Sequence, residues 1–328
     1  MKFKKLVLTT GMLLLFFSLW AKDAYYENDD YKLFLSYNDT VLQGDAVFLR
    51  LTITPQRLWK KPGKTLETTA SVNLLNKKEK IDGSTFFRIH SKKAVKNAVE
   101  LLSGIPVSTN SKEGSYSLQV LYTPFGTGTM EFSVPLTIKK KDFPAETIPL
   151  DDENAALKSD MSSERLDQIE KLNNVLRTTG TAVYQFFPFT EPVTSDRRTA
   201  GFGDRRIYTY ANGRSSADIH RGIDFGVPTG TPVHACAAGK VVMAGKRLTT
   251  GWTVVLEHLP GLYSLYYHMD SLSVKPGTVV KQGDQLGLSG ATGLATGPHL
   301  HWEIRLNTSA VNPDFFTGDF AFAKQDEQ

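Results

Sequence analysis

A regular alternation of apolar and polar residues runs through the N-terminal part of the chain, and it constrains the fold more than any other feature of the sequence. One apolar series comprises Val47, Leu49, Leu51 and Ile53, and similar series run over 116–122 and 130–138. A period of two places alternate side chains on one face of a strand, whereas a helix repeats about every 3.6 residues. The region from about 25 to 138 is therefore predicted to consist of half-buried strands.

Short segments rich in turn-forming residues separate these strands. They lie at Gln43–Asp45, Lys61–Gly63, Asp82–Ser84 and Gly126–Gly128. Many short strands joined by such turns are typical of two packed sheets. We predict a mainly β chain in which residues 22–145 form a β-sandwich of immunoglobulin-like size.

The N-terminus has the pattern of a secretory signal peptide. A basic stretch over 1–5 precedes an apolar run over 6–20, and Ala21 is followed by the polar Lys22 and Asp23. The apolar run is shorter than the roughly 18 to 20 apolar residues that a membrane span needs, which favours a cleaved signal over an anchor. We expect residues 1–21 to direct export to the periplasm or cell envelope, with membrane anchoring as the alternative if the signal is not cleaved.

Charge and cysteine content exclude two classes of protein. The chain of 328 residues has a net charge of +4, and three of the lysines lie in the predicted signal. The nearly neutral remainder does not indicate a nucleic-acid binder. Cys236 is the only cysteine, so an intramolecular disulfide is excluded, and its setting among alanines favours a small buried side chain over a metal ligand.

A single amphipathic helix is predicted between two domains. Leu166, Ile169, Leu172 and Leu176 recur at helical spacing over 162–177, and Gly180 follows the last of them. An apolar stripe of this kind needs a surface to pack against. We therefore assign residues 146–182 to a helical linker that is docked rather than flexible, and residues 183–328 to the C-terminal domain.

Histidines are concentrated in that C-terminal domain. Only His90 of the seven lies outside it. The other six lie beyond residue 219: His220, His234, His258, His268, His299 and His301. A turn that enters a strand would place His299 and His301 on one face. His220 and Asp224 lie four apart with Gly222 between them, and His268 ends an alternating strand. Imidazole and carboxylate donors suit zinc, which the clustering therefore predicts.

These residues resemble the zinc metallopeptidases of the M23 family, also called LytM or lysostaphin-type endopeptidases. The resemblance covers about 185–316 and extends beyond the histidines to five further segments: Phe202–Arg206, Pro228–Val233, Gly239–Val242, Val274–Gly277 and Lys281–Gly287. One departure is Gly251-Trp252, where the family usually has Gly-Asn.

The resemblance implies a compact antiparallel β domain whose active site lies in a groove on the sheet. It implies that one zinc ion is bound by His220, Asp224 and His301, and that His268 and His299 are the catalytic pair. The implied substrate is the peptide part of bacterial peptidoglycan, in stem peptides or cross-links. The implied reaction is hydrolysis by zinc-activated water.

Reasoning from the residues is compatible with those roles and leaves several points open. The sequence contains no H-E-x-x-H motif, so histidines must carry the proton transfers, and either His268 or His299 can be the base. Glu303 lies on the strand face of His301 and is a candidate partner for it. His234 and His258 are interpreted as structural.

Two other functions are kept as hypotheses. One is a non-catalytic LytM-type regulator of another cell-wall hydrolase, against which the complete set of five site residues argues. The other is a binding protein in which the sandwich dominates. The N-terminal domain can serve targeting, binding of a cell-envelope protein, or autoinhibition, and the sequence does not choose among them.

Overall fold

The computed structural model describes residues 14–17, 22–56, 67–89, 97–186 and 188–318. Most of the predicted signal, the predicted turn at Lys61–Gly63 and His90 lie outside the described residues. The described part of the chain is built mainly from strands, which confirms the predicted fold class. It divides into two compact units. The first comprises the residues up to Val107 together with Ser111–Lys140, and the second comprises Ser108–Asn110 and the residues from Lys141 onward.

The first unit contains two sheets. Its strands are β1 (Leu14–Phe17), β2 (Lys22–Glu27), β3 (Tyr31–Tyr37), β4 (Thr40–Leu42), β5 (Ala46–Pro55), β6 (Thr69–Asn76), β7 (Glu79–Thr85), β8 (Phe87–Ile89), β9 (Val99–Pro106), β10 (Gly114–Thr123) and β11 (Met130–Lys139). One sheet has the order β1-β2-β3-β5-β9-β8, and the other has the order β4-β11-β10-β6-β7. A single turn of 3₁₀ helix, Pro124–Gly126, lies between β10 and β11.

The two sheets of this unit share one apolar core. Leu49 and Leu51 of β5 belong to the same buried cluster as Leu118 and Val120 of β10, and all four are fully buried. Alternate residues of a strand face the same way, so one face of each sheet fills the core. The period-two series in the sequence therefore identifies the residues that hold the two sheets together.

One predicted turn is wrong. Asp82–Ser84 lies inside β7, and the hairpin between β6 and β7 turns at Lys77, whose φ is 56°. Gly83 is extended and lies so close to β6 that a Cβ atom there would be 2.9 Å from the Val72 carbonyl oxygen. The glycine thus permits a close approach between strands rather than a reversal of the chain.

The second unit contains all three α-helices of the described residues. Its elements are β12 (Ala145–Pro149), α1 (Asp152–Ser159), α2 (Ser163–Arg177), β13 (Arg198–Ala200), β14 (Arg205–Thr209), β15 (Ser215–Ile219), β16 (Ile223–Phe225), β17 (Pro232–His234), β18 (Gly239–Arg247), β19 (Gly251–Leu259), β20 (Leu262–Leu272), β21 (Val279–Val280), β22 (Gln285–Ser289), β23 (Leu300–Leu306), β24 (Ser309–Val311) and α3 (Asp314–Thr317). None of these helices is long and apolar enough to cross a bilayer.

The predicted helix between the domains is α2, and it packs on the second unit. Ser162 caps its N-terminus by accepting a hydrogen bond from the Arg165 amide, as a helix start requires. Leu176 is buried in a cluster with Met243 and Tyr263 of the sheet. Leu166 and Ile169 remain 47% and 40% exposed, so only the C-terminal half of the apolar stripe is docked.

A ten-stranded sheet forms the core of the second unit. Its main order is β13-β16-β23-β20-β19-β18-β21, and the pairs along this path are antiparallel. A separate three-stranded sheet has the order β12-β14-β15, in which β12 pairs with β14 in parallel. Strand β12 and helix α1 were not predicted from the sequence, because a five-residue strand and an eight-residue helix offer too few periods to be recognised.

Candidate metal centre

Three side chains converge where β16 meets β23. Asp224 Oδ1 lies 3.1 Å from His220 Nε2 and 2.7 Å from His301 Nδ1, and the two histidine nitrogens are 3.0 Å apart. All three residues are buried. Among the described residues they form the group of donor atoms that could hold a metal ion. The structure thus brings together the three side chains predicted to be ligands.

Strand pairing produces this convergence. Asp224 and His301 are directly opposite each other in the antiparallel pair of β16 and β23, so their side chains point to the same side. His220 reaches them from the segment that precedes β16. Gly222 is needed for that approach, because a Cβ atom there would lie 2.3 Å from the Trp302 carbonyl oxygen. The role of this glycine is close packing against β23.

The second ring nitrogen of each histidine in the cluster is held by an acceptor. His220 Nδ1–H donates to the Gly201 carbonyl over 2.7 Å, and His301 Nε2–H donates to Glu303 Oε1 over 3.0 Å. These bonds leave His220 Nε2 and His301 Nδ1 facing Asp224, where each nitrogen could bind a metal ion once it carries no proton. Glu303, suggested from the sequence as a partner of His301, occupies that position, and Arg305 donates to its other oxygen.

His268 and His299 lie beside the cluster, with ring centroids 4.7 Å apart. His268 Nδ1–H donates to the Thr292 carbonyl, and His299 Nδ1–H donates to the Gly297 carbonyl, each over 2.8 Å. In both rings Nε2 is therefore the acceptor nitrogen. His299 Nε2 is 3.8 Å from Asp224 Oδ1, which places the pair next to the proposed ligands.

His268 occupies an irregular position in β20. Its φ of 58° lies in the left-handed region, which is strained for a residue with a side chain. The pairing register between β19 and β20 shifts between Trp252 and Val254, so that Tyr267 and His268 together oppose one residue of β19. A bulge of this kind redirects a side chain, and here it turns His268 toward His299.

The electrostatics of the cluster favour positive charge. Burial would raise the pKa of Asp224, but His301 and His220 hold the pKa of its carboxyl well below the usual value. Burial would lower the pKa of His301, yet the carboxylates of Asp224 and Glu303 raise it to about 9. A metal ion that bound here would have to displace the proton from His301.

The two adjacent histidines have the opposite character. Burial, followed by repulsion from His299 and His301, lowers the pKa of His268 to about 3. Burial also lowers the pKa of His299, against the attraction of Asp224. Both rings are therefore neutral near neutral pH, and each keeps a nitrogen that can accept a proton.

A groove of about 360 Å³ opens onto these residues. Glu146 and Ile148, which are alternate residues of β12, line the groove together with Leu150, which follows the strand. The segment 294–299 also lines it. Arg197, Arg206 and Tyr208 also line the groove. Tyr263, Tyr266 and Tyr267 are buried in the sheet.

Several histidine predictions concern residues outside the cluster. His258 is fully buried, donates from Nδ1 to the Ala238 carbonyl and accepts from Ser264 at Nε2, which agrees with a structural role. His234 lies on β17 and has no part in the cluster. Cys236 is buried and unpaired, as predicted for a small core side chain.

Sequence reasoning missed three residues that support the site. Thr292 accepts from His268 through its carbonyl, Tyr267 stacks on the His301 ring at a centroid distance of 5.3 Å, and Arg206 donates to Asp224. Arg206 belongs to the segment 202–206 that carries part of the family resemblance, and this was the only available signal. The Thr292 contact is made by His268, which lies at a bulge, and Tyr267 is the cross-strand neighbour of His301; periodicity reveals neither.

The donor set fits a zinc ion. Two imidazole nitrogens and one carboxylate oxygen leave the fourth position of a tetrahedral ion open, as in catalytic zinc sites. Both imidazoles are also held by outer hydrogen bonds in the tautomer that ligation needs. The fold and the site therefore define the class of the second unit as a β-sheet domain with a candidate metal site.

Comparison with known proteins specifies that class. Residues 218–313 match the family model described as Peptidase family M23, so this chain contains an M23 peptidase domain. The DD-carboxypeptidase/endopeptidase Mpg of Neisseria meningitidis is 38% identical over 126 residues, which are 38% of this chain and 27% of the relative. The peptidoglycan DD-endopeptidase ShyB of Vibrio cholerae is 38% identical over 126 residues, which are 38% of this chain and 28% of the relative.

These matches span only about a quarter of the length of either relative. A crystal structure of a putative M23 peptidase from Pseudomonas aeruginosa is similar over 85% of this chain and 95% of its own, with a TM-score of 0.55 and 24% identity. At that identity the structural likeness concerns the fold alone.

Proposed function

We propose that this chain is an exported zinc-dependent endopeptidase that hydrolyses peptide bonds in the stem peptides or cross-links of bacterial peptidoglycan. The observation that carries the proposal is the buried group of His220, Asp224 and His301, next to two neutral histidines with a free Nε2. The names of the relatives, which include DD-endopeptidases of peptidoglycan, support the choice of substrate.

His220, Asp224 and His301 would hold the zinc ion, and the bound ion would supply Lewis acidity for a peptide carbonyl and for water. Asp224 offers Oδ1 to this position, while Glu303 and the Gly201 carbonyl keep the two imidazoles in the required tautomer. Burial of all three side chains removes competing water from the donors.

His268 and His299 would carry the protons. Hydrolysis breaks the C–N bond, adds OH to the carbonyl carbon and adds a proton to the leaving amine. One neutral histidine would take the proton that water releases and return it to the leaving amine, and the second, 4.7 Å away, would stabilise the negative charge that develops on the carbonyl oxygen when its Nε2 carries a proton. The Thr292 and Gly297 carbonyls hold both rings by Nδ1, so either Nε2 can serve as the base.

The groove suits an extended peptide. Its walls are a strand edge and a loop, and it combines the apolar Ile148 and Leu150 with the charged Arg197. Peptidoglycan, the proposed substrate, lies outside the cytoplasm. The signal predicted over residues 1–21 is consistent with that location. We retain the domain boundaries predicted from the sequence as part of this proposal.

Release of soluble muropeptides tests the proposal. The mature full-length chain would be incubated with purified peptidoglycan, with a chelator, and with zinc added back. We expect release that the chelator stops, that zinc restores and that His299→Ala abolishes. The masses of the products identify the bond that is cut.

A regulator of another hydrolase would give a different result. It would release nothing even when it binds zinc and is folded, and that outcome would reject the enzymatic proposal. The presence of all five site residues in one cluster is the reason for preferring the enzyme.

A further inference from the structure

Arg206 holds the side of Asp224 that faces away from the histidines. Its guanidinium Nη2 donates to Asp224 Oδ2 over 2.7 Å, while Asp224 Oδ1 contacts His220 and His301. The two carboxylate oxygens are thus divided between a fixed cation and the metal position. The side chains of Arg206 and Asp224 are only 15% and 8% exposed, so solvent screens this contact weakly.

A second carboxylate fixes the arginine. Arg206 Nε donates to Glu146 Oε1 over 2.8 Å. Glu146 lies on β12, which pairs in parallel with β14, and the register places Glu146 directly beside Arg206. Because a guanidinium is planar, two simultaneous carboxylate contacts determine its orientation.

We infer that Arg206, oriented by Glu146, is a positioning residue that holds Asp224 as a one-oxygen metal ligand with Oδ1 directed at His220 and His301. This inference rests on the proposed metal site. It also gives β12, which precedes the matched region 218–313, a specific part in the metal centre.

Repulsion between the guanidinium and the metal is the competing effect. Two observations reduce it. Glu146 balances the charge of Arg206, so the pair adds little net charge, and the carboxylate of Asp224 lies between Arg206 and the two histidines. Orientation should therefore outweigh repulsion. Loss of a partner that orients a ligand typically lowers metal affinity by about 10- to 100-fold.

Zinc affinity of the full-length chain tests the inference, measured by competition with a chromophoric chelator. Arg206→Gln should raise the zinc dissociation constant by about 10- to 100-fold. Arg205→Gln is the matched control, because Arg205 is the neighbouring residue of β14 and stacks on Phe143 at 5.1 Å instead of contacting Asp224. The control should bind zinc like the wild type.

A spectroscopic measurement separates positioning from a general loss of structure. In the Co²⁺-loaded protein, d–d absorption reports coordination number. A carboxylate released by Arg206→Gln can bind through both oxygens, so the absorption should weaken and shift. Arg206→Lys keeps the charge but cannot contact both carboxylates as a fork, and its zinc affinity should lie between those of the wild type and Arg206→Gln.

The outcomes that overturn the inference are distinct. Equal or tighter zinc binding by Arg206→Gln, or a Co²⁺ spectrum like that of the wild type, rejects the positioning role alone. If Arg206→Gln does not fold, wild-type affinity in Arg206→Lys rejects it instead. If the wild-type chain itself binds no zinc, the proposed function and this inference fail together.

Discussion

Strands β11 and β23 show how one alternating pattern serves two purposes. In β11 the apolar Val134, Leu136 and Ile138 are buried and the residues between them are exposed. In β23 the apolar Leu300, Trp302 and Ile304 also alternate with polar residues, but the polar row is largely buried as well. A buried polar row must be paired, and His301 pairs with Asp224 while Glu303 pairs with Arg305. Alternation indicates a strand in both cases, but only burial of the polar row makes a site.

The largest effect should come from His268, which reaches the site from the strand next to β23. His268→Ala should lower kcat by about 10²- to 10⁴-fold, as removal of a proton-transferring group does. Zinc content should stay the same, because His268 is not one of the three proposed ligands. Steady-state hydrolysis and metal analysis of the full chain measure both quantities.

His234→Ala is the control for that comparison, since His234 lies on β17 outside the cluster. A similar loss of activity in both variants would show that the effect is not specific to the proposed catalytic pair.

Glu303 tests the difference between the two strands directly. Glu303→Ala leaves the buried His301 and the partly buried Arg305 without their shared carboxylate, and breaking a buried charge pair costs about 3 to 5 kcal/mol. Glu131→Ala removes an exposed glutamate of β11 and should change the free energy of unfolding by less than about 0.5 kcal/mol. Chemical denaturation of the two variants measures the contrast, and equal costs would refute the distinction drawn between the polar rows.

The sequence predicted the strands and the three side chains that converge better than it predicted the residues that support them. Regular alternation is visible in β10 and β11 because one face is buried and the other is partly or fully exposed. The H-x-x-x-D and H-x-H spacings are local, and the family resemblance that they carry implies His220, Asp224 and His301 as ligands. They do not reveal that Asp224 and His301 are cross-strand neighbours.

The supports were missed because they depend on contacts between distant segments. Glu146 meets Arg206 through a parallel pair that no local pattern encodes, and His268 depends on a bulge. The predicted turn at Asp82–Ser84 failed for a related reason. A glycine in a strand and a glycine in a turn look alike until the neighbouring strand is known.

A third prediction concerns His258, a buried histidine of the same sheet that takes no part in the cluster. Burial lowers its pKa from the ordinary value of 6.5 to about 4. The unfolded chain therefore binds a proton first as the pH falls, so this residue's contribution to stability is complete above about pH 6.5 and is lost toward pH 4. The full loss amounts to roughly 3 kcal/mol.

Unfolding in urea at a series of pH values would measure that loss. His258→Gln should flatten the dependence of unfolding free energy on pH in this window. An unchanged slope in His258→Gln would assign the acid sensitivity to other groups.

The smallest predicted effect concerns the N-terminal cap of α2. It tests whether this helix stabilises the second unit. Ser162 satisfies a free amide at the helix start, and loss of such a cap costs about 1 kcal/mol. Because Leu176 at the other end is buried against Met243 and Tyr263, fraying of α2 should lower the unfolding temperature of the second unit. Calorimetry of Ser162→Ala measures this shift, with Met161→Ala, which alters a side chain that is 71% exposed, as the control. If Ser162→Ala lowered only the unfolding temperature of the first unit, the assignment of α2 to the second unit would be wrong.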